Sequence, residues 1–487
     1  MKYLIDTNVF IPLEPTGPAD VGALTSRATL FAQKANRAGS TLFVHPAQTR
    51  DIANDENSER RQLRQTLLGK YPVLPEPPST ERIQGVLGSP AIDSNDWVDH
   101  QLLAALHADA VDYLVTEDAG IHRKAKRLGL QHRVTYVADA IAALDALFDT
   151  LPANRPAIED LKAHSLDNED PIFTSVRAEY PDFDNWLIKC KREHRQAWVI
   201  LAPDNTYAAV SIVNREDRAD IGPGGKTLKI CMFKVSDVHS GFRYGELLLR
   251  QVMHHAEQNS FVFLFVEVFP RHQALISLFG EFGFFDIGAN TDRGELRLGK
   301  KLAFTNEELS TLDPLEFNRR FGPSAIKWTN TSGFIIPIKP KYHDMLFPEA
   351  TLQIQFFEGQ TPCGNALRKA YLCNSGSREI TPGAILAFYR SEDAKALTVV
   401  GIAEETLVSD NATDIARYVG KRTVYPFQEI ERLCEKEVLA ILFRQARILQ
   451  TPIVLDILLR NRIIAAAPQS ITKISLSARR WIQTHLQ

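Results

Sequence analysis

The chain has 487 residues, 44% of them hydrophobic and 24% charged, with a formal net charge of −3. That length calls for about three hydrophobic cores rather than one, and the composition excludes a long disordered chain. The near-neutral charge excludes a globally basic nucleic-acid binder but leaves local patches open. Five widely spaced cysteines (Cys190, Cys231, Cys363, Cys373, Cys434) form no CxxC pair. A zinc knuckle or disulfide framework therefore has no support, and reduced thiols in a cytoplasmic protein are expected. The opening MKYLIDTNVFIPLEP is a poor signal peptide. No apolar run is long enough for a transmembrane helix, so no membrane is expected among the partners.

Residues 2–5 (KYLI) read as a buried strand, 28–39 as a helix, 41–46 (TLFVHP) as a strand stopped by proline, and 47–54 as another helix. Residues 71–81 are Pro-rich and read as a loop. A periodic helix (96–110), a strand (111–118), a helix (119–129) and a strand–helix pair (133–148) follow. This alternation predicts an α/β domain over a mainly parallel sheet at 1–150. Residues 151–165 read as a link. A hairpin (197–203, 208–215), then strand, helix, strand, helix and strand to about residue 302, predict an α+β domain at 160–305. A connecting segment (306–374) leads to a β-rich domain at 375–487. It has strands at 383–391, 396–409 and 439–449, helices at 413–420 and 427–437, and a closing helix at 475–486. The predicted fold class is multidomain, mixing α/β and α+β.

Four carboxylates stand out. Asp6 and Asp118 fall at the C-terminal ends of predicted strands, where ligand sites of open α/β sheets gather. Asp51 lies in a first helical turn, and Asp99 opens a helix one turn after Asp96. Carboxylates are hard ligands suited to Mg²⁺ or Mn²⁺, and such ions generate nucleophiles for phosphodiester cleavage. Taken singly, Asp51 and Asp99 also suit the helix dipole and Asp118 suits an N-cap. Asp6, just after an apolar strand, requires hydrogen-bond partners or a cation.

The segments LIDTNVFI and DHQLLAALHADAVDYLVTEDAGIHRKAKRLGL resemble the two signature ends of the PIN domain. The resemblance spans about residues 1–148 and implies a metal-dependent endoribonuclease, as in RNA processing or bacterial toxins. Carried over, its acids are Asp6, Asp99 and Asp118. Asp51 stands where glutamate is usual, with Asp55 as the nearby alternative. Asn8 and Thr116 would orient ligands. Arg123 and Lys124 are candidate phosphate contacts, an ordinary solvated helix face being the alternative.

In the middle region, LKICMFKVSDVHSGFRYGELLLRQVMHHAEQN and HQALISLFGEFGF resemble the GNAT acetyltransferase fold. This implies acetyl-CoA as cofactor, held near Val235, Gly241, Arg243 and Gly245. The chain departs from the family loop: Ser240 replaces the leading basic residue and Arg243 the middle glycine. Phe279 falls where a general-acid tyrosine is frequent. Glu246 and Glu267 are candidate bases.

Residues 375–475 resemble the PUA-like superfamily, nearest ASCH-type domains, which implies RNA or modified-nucleotide binding. Lys421, Arg422, Arg444 and Gln445 are its candidate contacts, with Gln469 and Ser470. Three whole-chain readings follow from these resemblances. The first is a ribonuclease serving as a toxin or phage-defence effector, with an RNA substrate, an antitoxin or regulator, and a homo-oligomer among its expected partners. The second is an acetyl-CoA-dependent N-acetyltransferase acting on RNA or an RNA-associated protein. The third is a non-catalytic RNA-binding regulator.

Overall fold

The computed structural model describes residues 1–76, 79–92, 94–148, 158–217, 221–236, 239, 243–288, 291–350 and 362–486. The chain divides into two compact units: Met1–Leu151 with Ser409–Glu437, and Pro152–Val408 with Val438–Gln487.

Unit 1 is built on strands β1 (Lys2–Ile5), β2 (Thr41–Phe43), β3 (Tyr113–Val115) and β4 (Val134–Thr135), in the order β2-β1-β3-β4 and all parallel. Strand alternation sends neighbouring residues to opposite faces. Tyr3, Ile5, Tyr113 and Val115 join Phe31, Ala140 and Leu144 in one core. Leu4, Leu114 and Val134 join Val98, Leu102, Leu106 and Ile121 in another. With helices on both faces, the strand interiors are apolar, and the polar Lys2, Thr41 and Thr135 fall at strand ends. The predicted strand 111–118 is cut to three residues because Asp6 N takes the carbonyl of Val115 and the chain then turns into the helix Ala119–Arg127.

Residues 409–437, expected to lie within the C-terminal domain, belong to unit 1. Their helices Ala412–Val419 and Phe427–Leu433 lie between the two longest strands of the C-terminal sheet in sequence. The Tyr113 hydroxyl donates to Ala416 O (3.3 Å), Lys421 Nζ pairs with Asp139 (2.5 Å), and Phe427 packs against Phe148. Tertiary packing of this tip is invisible to a reading along the chain.

Unit 2 holds two sheets. The first uses β5 (Ile158–Lys162), β6 (Gln196–Leu201), β7 (Tyr207–Arg215), β8 (Thr227–Val235), β9 (Phe263–Val268), β10 (Phe285–Asp286) and β11 (Leu296–Lys301). Its order is β10-β11-β9-β8-β7-β6-β5, antiparallel except for β8 and β9. The expected link at 151–165 thus contains the edge strand β5, whose polar, half-exposed IEDLK pattern conceals it. Trp198 and Ile200 pack with Leu248, Val252 and Met253 of the helix Tyr244–Gln258. Ala197 and Val199 face the other way, onto Phe183, Leu187 and Cys190.

The second sheet uses β12 (Gly333–Ile338), β13 (Arg368–Cys373), β14 (Ile385–Arg390), β15 (Ala396–Ser409), β16 (Val438–Val454) and β17 (Thr472–Lys473). Its order is β13-β16-β15-β14-β12-β17, with β12 and β14 parallel. The sheet therefore begins at Gly333, inside the segment expected to be a connection. Lys300 bolts that segment to the first sheet: its fully buried ammonium donates to the carbonyls of Phe282, Arg319 and Arg320 (2.7–3.1 Å).

Candidate functional site

In unit 1 the carboxylates cluster at the C-terminal edge of the parallel sheet. Asp6 caps the helix Thr7–Leu13 and is only 6% exposed. Its Oδ1 accepts from Thr7 N (2.6 Å), and its Oδ2 accepts from Asn8 Nδ2 (2.7 Å) and Thr116 Oγ1 (2.6 Å). Burial pushes its pKa up to about 7; the Thr116 and Thr7 hydrogen bonds oppose this, and the charges of Asp99 and Asp51 add to it. Burial also raises the pKa of Asp51, which accepts from Thr7 Oγ1 (2.8 Å). Asp99 is raised by burial and by Asp118 and Asp96, against the pull of Lys124. Asp118 caps its helix through Gly120 N.

Asp6, Asp51, Asp99 and Asp118 are thus neighbours, and Asn8 and Thr116 do orient Asp6. The donor chemistry suits a hard divalent ion, and one of the four acids, Asp99, is held by Lys124. Among the described residues no three His, Cys, Asp or Glu side chains form a metal-ligand group. The Lys124 ammonium lies between Asp96 (2.5 Å) and Asp99 (2.6 Å) and supplies positive charge there itself. Lys124 is therefore engaged with acids rather than open to phosphate, while Arg123 is exposed. Asp55 is held low by Arg60 and pairs with Arg60 and Arg64, away from this role. Two residues were missed: Thr7, which joins Asp6 to Asp51, and the buried Gln48, whose amide donates to Ile5 O (2.8 Å). Neither carries a charge that would mark it in a sequence.

In unit 2 the first sheet opens into a cleft. Strands β8 and β9 pair from Thr227↔Phe263 to Ile230↔Val266. On the other side of β8, Ile212 pairs with Met232 and Val213 with Ile230, so Cys231 is an extra residue. Such a bulge bends its strand. It sends Met232 to one core while Leu228 and Ile230 serve the other. Beyond it β8 runs on to Val235 without β9. The gap is a cavity of about 980 Å³, walled by Cys231, Met232, Phe233 and Lys234 on one side and by Val266, Glu267 and Val268 on the other.

At the helix that follows, Arg243 has φ +59°, the left-handed conformation natural to glycine. Its guanidinium is buried and paired with Glu246, whose other oxygen accepts from Leu367 N (3.0 Å). Glu246 is thereby occupied by Arg243 and Leu367, while Arg243 Nε and Nη2 are buried without a hydrogen-bond partner among the described residues. A Cβ on Gly245 would stand 3.1 Å from Leu278 Cδ2 and 3.7 Å from Val235 Cγ2, so this glycine permits close packing. Gly241 and Ser240 lie outside the described residues. Phe279 is core. Glu267 is buried, which raises its pKa, yet Lys229 (2.6 Å) and Arg297 (3.0 Å) hold it below the usual range.

Residues 161–284 match the family model described as acetyltransferase (GNAT) family. This part of the chain is a GNAT domain. It contains the bulge, the splayed strands and the cleft. Solved structures similar to the chain include an N-acetyltransferase from Staphylococcus aureus (14% identity, 31% of this chain and 100% of that chain, TM-score 0.26). Another is an IAA acetyltransferase from Bacillus cereus (16%, 30% and 100%, TM-score 0.25). ASCH from Zymomonas mobilis is also similar (18%, 32% and 96%, TM-score 0.25). No curated protein matches the chain. Outside the GNAT domain, Arg444 and Gln445 are buried, and Arg444 pairs with Glu404 (3.1 Å) and Asn318 (3.2 Å). These two expected nucleic-acid contacts are closed off because their strand is central in its sheet. Lys421 is paired with Asp139, and Arg422 is engaged within the protein. Among the described residues no helix is long and apolar enough to cross a membrane.

Proposed function

We propose that the chain is an acetyl-CoA-dependent N-acetyltransferase and that the cleft between β8 and β9 holds the cofactor. The observation carrying this reading is the parting of the strands at the Cys231 bulge. It leaves the edge of residues 231–235 that faces away from β7 without a neighbouring strand, so the backbone N–H and C=O groups on that side are ready to bond an extended amide-bearing chain as a strand would. Acetyl-CoA supplies the activated thioester. The protein holds the thioester against an amine; the C–N bond forms, the C–S bond breaks, and the amine releases its proton. Glu267, held ionised by Lys229 and Arg297, is a weak base and serves to fix charge in the cleft wall. Titration of the full chain with acetyl-CoA, read by calorimetry and hydrogen exchange, tests the reading. Binding with protection over 231–236 and 263–269 is expected. No heat and no protection at millimolar ligand would overturn it.

A second reading keeps residues 1–148 as a PIN-like ribonuclease using Mg²⁺ or Mn²⁺, and the C-terminal sheet as an ASCH-like RNA reader. It is favoured by one observation, the mutual electrostatic influence of Asp6, Asp51 and Asp99 at a sheet edge. The ion pair of Lys124 with Asp99 has to open before a divalent ion could enter. Cation-dependent cutting of total RNA, lost in D6A, is the expected result; equal cutting by D6A would remove this reading. An antitoxin or regulator, a homo-oligomer and a cytoplasmic location remain part of this proposal.

A further inference from the structure

Among the described residues, the cleft of the GNAT domain contains one buried carboxylate that no cation pairs with. Glu295, just before β11, is 7% exposed and lines the cavity. Its Oε1 accepts from the Tyr180 hydroxyl (3.0 Å) and its Oε2 from Thr291 Oγ1 (3.1 Å). Both donors are neutral, and no cation among the described residues pairs with it. The other wall glutamates are matched, Glu267 with Lys229 and Arg297, Glu216 with Lys229, and Glu179 with Arg271 and His272, while the wall aspartates Asp182 and Asp292 are exposed to water. A carboxylate out of water needs a positive partner as well as hydrogen bonds.

Beside it stands an aromatic wall. The Tyr180 ring lies 5.5 Å from Phe269, and Trp186 and Phe183 also line the cavity. Ring faces attract cations. Two hydroxyl groups fix the carboxylate in place, so it is preorganised for a ligand rather than free to swing into solvent.

The geometry points to Glu295 as the seat of the acceptor substrate's ammonium group, with Tyr180 and Thr291 as its positioning residues. The acceptor class is accordingly a cationic primary amine carried next to an apolar or aromatic body. This inference rests on the acetyltransferase reading for its chemistry but concerns the opposite substrate. Seated at Glu295, the ammonium gives one proton to water, the neutral nitrogen attacks the thioester carbonyl to form the C–N bond, the C–S bond breaks, and the departing CoA thiolate takes the second proton from that nitrogen.

The test uses the full chain with three probes: tyramine, spermidine and a capped tetrapeptide containing one lysine. Calorimetry without acetyl-CoA measures amine binding; release of CoA thiol with acetyl-CoA measures transfer. Binding of at least one probe is expected, with kcat/KM for it reduced at least tenfold in E295Q, mostly through KM, and less in Y180F. Acetyl-CoA affinity should stay within twofold in both variants, which also reports that they fold. Equal amine binding by E295Q and the wild type would overturn the inference, as would failure of the wild type to bind any probe. Failure to bind acetyl-CoA with amine binding intact would strike the acetyltransferase reading instead.

Discussion

Replacing Asp6 by Asn asks whether a buried charge is held at a cost in unit 1. Asp6 is buried and titrates near 7 instead of its usual 3.8. The folded state therefore binds this proton more tightly than the unfolded state, and stability falls as pH rises from about 3.8 through about 7. The full penalty above pH 7 is about 4 kcal/mol, more than half of which develops between pH 5 and 8. Asn cannot ionise. Its amide meets the donors Asn8 and Thr116 less well, but that loss does not change with pH. The difference in unfolding free energy between D6N and wild type should thus move in favour of D6N by about 2–3 kcal/mol from pH 5 to 8. Urea unfolding, read by hydrogen exchange of peptides from β1 and β3, isolates unit 1 in a chain that need not unfold in one step. Parallel pH curves for the two proteins would refute the argument and place Asp6 in a polar or cation-bearing environment.

Other substitutions probe the rest of the frame. Lys300→Met leaves three carbonyls without their donor and should cost unit 2 about 3 kcal/mol, seen as a lower urea midpoint for its transition. Lys124→Met removes the ammonium between Asp96 and Asp99. Their pKa values should rise, and Mn²⁺ affinity measured by paramagnetic broadening should change; an unaltered titration of both acids would refute the pairing. Replacing residues 410–436 with a short Gly/Ser linker strips the Tyr113, Asp139 and Phe148 contacts. Exchange protection in the helix Val137–Phe148 should fall at least tenfold while β8 stays protected. Lys229→Met withdraws one partner of Glu267, so its carboxyl should titrate higher by NMR; no movement would mean Arg297 alone sets its charge.

Much of the local architecture was legible because it depends on near neighbours. The mostly apolar KYLI, the helix after Asp118, and the strand–helix–strand run from Thr227 to Val268 each carry their period in consecutive residues. The edge strand Ile158–Lys162 escaped because only Ile158 and Leu161 are apolar and both are only half-buried. Arg444 and Gln445 looked like surface contacts because a buried ion pair is spelled with the same letters as an exposed one. The partners of Arg444, Glu404 and Asn318, are 40 and 126 residues away.

By itself, the sequence determined most of the strands and helices, that Asp6, Asp51, Asp99 and Asp118 are available to one sheet edge, and that the middle region, 160–305, resembles the GNAT fold. Those are consequences of periodicity and of polar residues at element ends. Only the tertiary structure decided that residues 409–437 complete unit 1, that Lys124 stands against Asp99, and that Arg243 pairs with Glu246. It alone decided that one extra residue at Cys231 parts β8 from β9, and that Glu295 faces the resulting cleft without a cation. Each depends on charge pairing, register or burial between residues distant in the chain, where the free energy is set by which groups meet and how little water remains around them.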